Sequence, residues 1–145
     1  ESKMTMSVIG FDEVCAAAQA AAKEGVPPVP VITAPGFVLL KIIAYLDRRE
    51  RGRVKYRDDA RDIAYWLRNF ASGTHDERRY DLAGQKEGLK HEDYETAGAV
   101  LMGAEVGKLA SPEAATCVER FLKESEDLYS PFMDALSAGQ FQELF

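Results

Sequence analysis

The sequence predicts a mainly α protein, a helical bundle with a short two-stranded β remnant at its N-terminus. Three observations carry this. Apolar residues recur at helical spacing through most of the 145 positions. Strand-like patterning is confined to two short stretches near the start. Prolines and glycines fall where helices would begin and end, as at Pro35, Pro112 and Gly25. A chain of 16.1 kDa fits one core of ordinary size. Its 46% apolar and 29% charged residues are those of a globular protein rather than a disordered one. The net charge of −6 argues against a nucleic-acid coat acting by bulk charge. The charge-free run 26–40 holds four prolines and is excluded as a membrane helix.

Residues 3–8 (Lys-Met-Thr-Met-Ser-Val) alternate polar and apolar, the pattern of a half-buried strand. Residues 29–33 are the second candidate, an edge strand because of Pro30. Pairing of 4–9 with 29–33 is expected. Since two strands alone are marginal in water, the rest of their sheet is expected upstream, which makes this chain the C-terminal part of a longer α+β protein. Residues 1–33 then close an α/β core, and 34–145 form a helical C-terminal domain.

Between the two strands, 11–23 reads as a helix with Phe11, Val14, Ala18 and Ala21 on one stripe, stopped at Gly25. Residues 25–30 form a stiff extended connector. A helix starts at Pro35 and runs to about Arg51; between Gly36 and Leu46 it is apolar all round except for Lys41, which marks a buried central helix. After a basic turn, residues 58–71 form a helix with Ile63, Trp66, Leu67 and Phe70 at helical spacing. Leu40, Ile43, Ile63, Trp66 and Leu67 are expected to be buried between these two helices. Residues 74–90 read as loop, with one short helix around 77–82. Residues 91–109 are helical, with Tyr94, Ala97, Leu101, Ala104 and Lys108 along one side; Gly98, Gly103 and Gly107 suggest a closely packed neighbour. Ser111-Pro112-Glu113 starts a helix that uses Ala115, Val118 and Leu122 with Phe121 alongside. Ser130-Pro131 begins a last one with Phe132 and Leu136. Cys15 and Cys117 lie among small apolar residues without metal-ligand spacing, and read as core thiols of a reducing, cytoplasmic compartment.

Charge is unevenly spread. Between Leu46 and Asn69 eight basic residues (Arg48, Arg49, Arg51, Arg53, Lys55, Arg57, Arg61 and Arg68) face five acids; from Glu92 onward three basic residues face eleven acids. The basic turn is either a solvated loop or a phosphate-facing rim. Lys41 is the sharpest single residue, because its stem must lie against core while its ammonium needs a carboxylate, an anion or a route to water. Asp59 and Asp62, three apart, continue the buried stripe of their helix toward its start. In an antiparallel hairpin Arg48 falls opposite Asp59, and Tyr45 opposite Asp62. The pair offers a metal no nearby third ligand, and His75 and His91 stand isolated in polar segments. Neither a phosphate-binding glycine loop nor a Ser-His-Asp order occurs.

The run Ala34-Pro-Gly-Phe-Val-Leu-Leu-Lys41-Ile-Ile-Ala-Tyr-Leu-Asp-Arg48, followed by Arg57-Asp-Asp59-Ala-Arg-Asp62-Ile, resembles a family of predicted nucleotidyltransferases. These are relatives of abortive-infection toxin enzymes in the DNA polymerase β-like superfamily. The resemblance implies that Lys41 faces a nucleotide triphosphate, that Asp59 and Asp62 orient it or its helix, and that Arg48 ties the two helices. Asp58 stands where the family has a lysine, so Arg57 or Lys55 would supply that phosphate contact. The family's Gly-Ser motif and Asp-x-Asp pair, which hold the triphosphate and its metal ions, occur nowhere in the 145 residues. Mg²⁺ and nucleotide are therefore expected only of the full-length protein. The implied partners are the nucleotide and either an upstream catalytic half or a second copy forming a homodimer; no membrane is expected, and the acceptor is not specified. The alternative is a non-catalytic helical interaction module in which Lys41, Arg48, Asp59 and Asp62 are structural ion pairs.

Overall fold

The computed structural model describes residues 8–70, 94–134 and 137. The protein is mainly helical, with a short two-stranded antiparallel sheet near the N-terminus. In chain order the elements are α1 (Phe11–Ala16), β1 (Gln19–Lys23), β2 (Val26–Val31), α2 (Ala34–Glu50), α3 (Tyr56–Asn69), α4 (Tyr94–Leu109) and α5 (Pro112–Ser125). Among the described residues no helix is long and apolar enough to cross a membrane. The expectations for residues 1–7, for 71–93 (His75 and His91 included) and for Leu136 lie outside the described residues.

The N-terminal segment departs from the pattern read in the sequence. The helix starting at Phe11 stops at Ala16, and Gln19–Lys23 turns back as a strand. Gln19 pairs with Val31, Ala20 with Pro30 and Ala21 with Val29. Val29–Val31 therefore pair with residues expected to be helical. Of the strand expected at 4–9, residues 8 and 9 lead into the turn before α1, the Phe11 N–H donating to the Val8 carbonyl at 3.2 Å, and 4–7 lie outside the described residues. The reason is tertiary. Alanine favours a helix by a few tenths of a kcal/mol per residue, a preference too weak to hold against a neighbouring strand in need of a partner. Pro27, Pro28 and Pro30 keep β2 extended, and Gly25, at φ 78°, makes the tight reversal that lays β1 beside it.

α2 is the central helix, as its all-round apolarity predicts. Thr33 caps it, its hydroxyl accepting the Gly36 N–H at 3.2 Å, and Pro35 sits in the first turn. α1, α3, α4 and α5 all pack on it. Val38, Leu39, Ile42, Ile43, Tyr45 and Leu46 are buried in one core with Val14 of α1 and Ile63 of α3. Each such side chain is worth about 1.5–3 kcal/mol of apolar burial. α1 comes close at Gly36: a Cβ there would stand 3.0 Å from the Val14 side chain. Of the residues expected between α2 and α3, Ile43 and Ile63 are buried, whereas Leu40, Trp66 and Leu67 are partly buried. Trp66 lies against Phe37, ring centroids 6.4 Å apart.

The faces of the later helices are rotated from those expected. On α4, Ala97, Leu101, Met102 and Val106 are buried and Lys108 is exposed. Gly103 and Gly107 have nothing within 4 Å of where a Cβ would stand, so they mark an open face and not a close-packed neighbour. On α5, Ala114 and Phe121 enter the core while Leu122 is exposed. Phe121 is the residue that meets the rings of Tyr45 and Phe132, which draws that face inward. Cys15 is exposed and is not the core thiol expected, whereas Cys117 is half-buried and packs against the core, and burial raises its pKa. Ser111 caps α5 through the Ala114 N–H, and Ser130 caps a further helical turn through the Met133 N–H.

Candidate functional site

α2 and α3 form the antiparallel hairpin expected around the basic turn. Lys41 and Arg48 are seven residues apart on α2, two turns along one face, and Asp59 and Asp62 are one turn apart on α3. The facing stripes bring all four together. Lys41 Nζ donates to Asp59 Oδ1 at 3.0 Å and lies 2.6 Å from Asp62 Oδ2. Arg48 donates to the other Asp59 oxygen, Oδ2, at 2.5 Å.

Exposure grades across the cluster. Asp59 is fully buried with a cation on each oxygen, while the side chains of Lys41, Arg48 and Asp62 are 24%, 35% and 45% exposed. The site is thus sealed at Asp59 and open at Asp62. Burial alone would lower the Lys41 pKa. Hydrogen bonds to Asp62 and Asp59, with the charges of both, outweigh it and hold the ammonium above its ordinary range. The ammonium also lies 5.3 Å from the Phe37 ring centroid, a cation–π contact that suits a charge on apolar ground.

Two sequence expectations shift here. Arg57 does not join the cluster: it is exposed, its guanidinium lies 6.0 Å from the Tyr56 ring centroid and its Nε donates to the Tyr56 hydroxyl at 3.5 Å. Tyr45 does not go to Asp62. Its hydroxyl donates to Glu124 Oε1 of α5 at 2.7 Å, and its ring meets Tyr56 and Phe121 edge-on.

Glu124 was not singled out in the sequence. It also receives Arg49, and Arg120 of α5 pairs with Glu50. Most of the basic turn is accounted for in this way: Arg48 by α3, Arg49 by α5 and Arg51 by Asp47 of its own helix. The signal that could have found Glu124 was present, since the excess of bases around the turn and the excess of acids after Glu92 are complementary. What the sequence lacked was the helix-to-helix register that matches them.

A magnesium ion finds no fit among these four residues. Mg²⁺ binds through carboxylate oxygens in near-octahedral geometry, and both oxygens of Asp59 are committed to cations while Asp62 has Lys41 upon it. Among the described residues no group of three or more His, Cys, Asp or Glu converges on a common point. What the cluster offers is a half-buried ammonium held between two aspartates, with the carboxylate of Asp62 at the open end of the salt-bridge network. Comparison of the chain with protein-family models, with curated proteins and with solved structures finds no match.

Proposed function

We propose that this chain is the helical C-terminal portion of a nucleotidyltransferase-like protein, contributing to nucleotide triphosphate binding and supporting the active site while inert alone. One observation carries the reading. Lys41, Arg48, Asp59 and Asp62, the residues on which the resemblance rests, span 22 positions of sequence and meet in one cluster with an open end. Arg48 and Asp59 act as positioning residues, holding α2 against α3 and aiming the Lys41 stem. An ammonium has three donors; Asp59 and Asp62 take two, and the third is available to a phosphate oxygen in a charge-assisted bond. Chemistry at the phosphorus is assigned to carboxylates outside these residues.

The test is calorimetric titration of the full-length protein with a nucleotide triphosphate and Mg²⁺. Losing one charge-assisted contact is worth roughly 1.5–3 kcal/mol, so Lys41→Met should weaken binding about ten- to hundredfold. Unchanged affinity in a folded variant would overturn the role. A stability loss does not discriminate, because Asp59 loses a cation in either reading. The reading frame upstream of Glu1 is an independent check: a Gly-Ser followed by an Asp-x-Asp supports the enzyme.

A second reading has its own support. Asp59 is fully buried with both oxygens occupied, which suits a clasp serving only to hold the helices of a non-catalytic interaction module. It expects Lys41→Met to lower stability and leave nucleotide affinity untouched.

A further inference from the structure

The two outer edges of the β1–β2 sheet differ in kind. Proline has no N–H to give to a ladder. At the Ala20–Pro30 position the backbone groups must therefore turn outward, while the Gln19–Val31 and Ala21–Val29 pairs exchange the bonds within the hairpin. Val26 pairs inward with Lys23 across the turn. The register shifts between Ala21 and Lys23, so that Pro27 and Pro28 both fall opposite Ala22. With no N–H on Pro27, Pro28 or Pro30 and that of Val29 turned to Ala21, the outer rim of β2 from residue 27 to 30 has no donors. That rim is closed to another strand.

β1 is the reverse. Alternation turns the N–H and C=O of Ala20 and Ala22 outward, and among the described residues no strand lies on that side. Ala20 and Ala21 are exposed, with no bulk to hold a neighbour away. The N-terminal segment around the hairpin is also apolar at its surface: among the described residues Val8, Phe11, Val26, Val29, Val31 and Ile32 are six of the eleven exposed large hydrophobic residues.

We infer that two copies of the chain join through β1, edge to edge about a two-fold axis at Ala21, into a four-stranded antiparallel sheet ordered β2-β1-β1-β2. An incoming strand must bring donors, and in this hairpin only the β1 edge has them, so the self-complementary pairing is β1 on β1. With the axis at Ala21, the outward groups of Ala20 meet those of Ala22 in the second copy, and the reverse. The two Ala21 residues form a pair without mutual hydrogen bonds, at a Cα separation of about 4.5 Å that small side chains accept. The proline rims then lie at both outer edges of the joint sheet, so assembly stops at two copies.

Sedimentation velocity should find the chain dimeric at micromolar to sub-millimolar concentration. Ala20→Pro removes only an outward donor and sets a proline across from Pro30, so the hairpin ladder survives. The dimer dissociation constant should rise at least about tenfold, with the circular dichroism unchanged. With Cys15→Ser and Cys117→Ala in place, Ala21→Cys should cross-link the copies on oxidation, because its Cα spacing is within disulfide reach, and Ala20→Cys should not. A chain monomeric at every concentration, a dimer that survives Ala20→Pro, or cross-linking through position 20 instead of 21 would each overturn the inference.

Discussion

Asp59→Asn and Asp62→Asn differ by three residues of sequence and should differ severalfold in cost. Asp59 is fully buried and accepts charge-assisted bonds from Lys41 and Arg48 on separate oxygens. An asparagine of the same shape keeps one acceptor and turns an N–H₂ toward a cation. Each charge-assisted bond is worth about 1.5–3 kcal/mol. Lys41 and Arg48 are partly exposed and recover some hydration, so the net loss should be about 2–4 kcal/mol. For a chain of this length that lowers Tm by about 4–16 °C. Asp62 is 45% exposed and, among the described residues, pairs with Lys41; its loss falls among surface pairs, about 0–1 kcal/mol. Trp66, the single tryptophan, lies on α3 against Phe37 of α2 and reports opening of this hairpin in urea by its fluorescence. An Asp59→Asn variant within about 0.5 kcal/mol of wild type, or an Asp62→Asn variant equally destabilised, would refute the assignment of Asp59 as the buried keystone.

Two more predictions concern α2. Lys41 and Tyr45 both have raised pKa values. For Lys41, burial opposes the rise and the hydrogen bonds and charges of Asp62 and Asp59 prevail; for Tyr45, burial drives it, Arg49 opposing. In each case the fold prefers the protonated form, so the stabilisation is complete below the unfolded pKa and is lost as pH rises through the folded one. Thermal melts should therefore fall with pH from about the ordinary tyrosine value of 10.0 upward, and less steeply in Tyr45→Phe; a flat alkaline limb contradicts this. At neutral pH Tyr45→Phe should cost about 1–2 kcal/mol in urea, since it deletes the hydroxyl bond to Glu124 and leaves Arg49 on that carboxylate; no change would mean that Arg49 alone satisfies it.

What the sequence by itself determined is the part governed by local pattern. The apolarity of α2 from Gly36 to Leu46, broken by Lys41, marked a central helix, and the Lys41 and Arg48 spacing set against Asp59 and Asp62 could only meet if the two helices folded back about the basic turn. Ser111-Pro112 and Pro35 marked helix starts because the signals at a helix N-terminus are settled within about four residues, although the Thr33 cap was visible only in the structure. Tertiary structure decided the rest. Gln19–Lys23, rich in alanine, became a strand because β2 needed a partner and Gly25 delivered one, a cross-strand interaction outweighing a small helical preference. Phe121, not Leu122, turned inward because rings of α2 and the turn after Ser130 were there to receive it. Glu124 became the partner of Tyr45 and Arg49 through a contact across 79 residues. Periodicity states which face of a helix is apolar, but the choice among neighbouring residues on that face, and the pairing of one helix's charges with another's, depend on how the helices cross, and that is fixed only when the whole core packs.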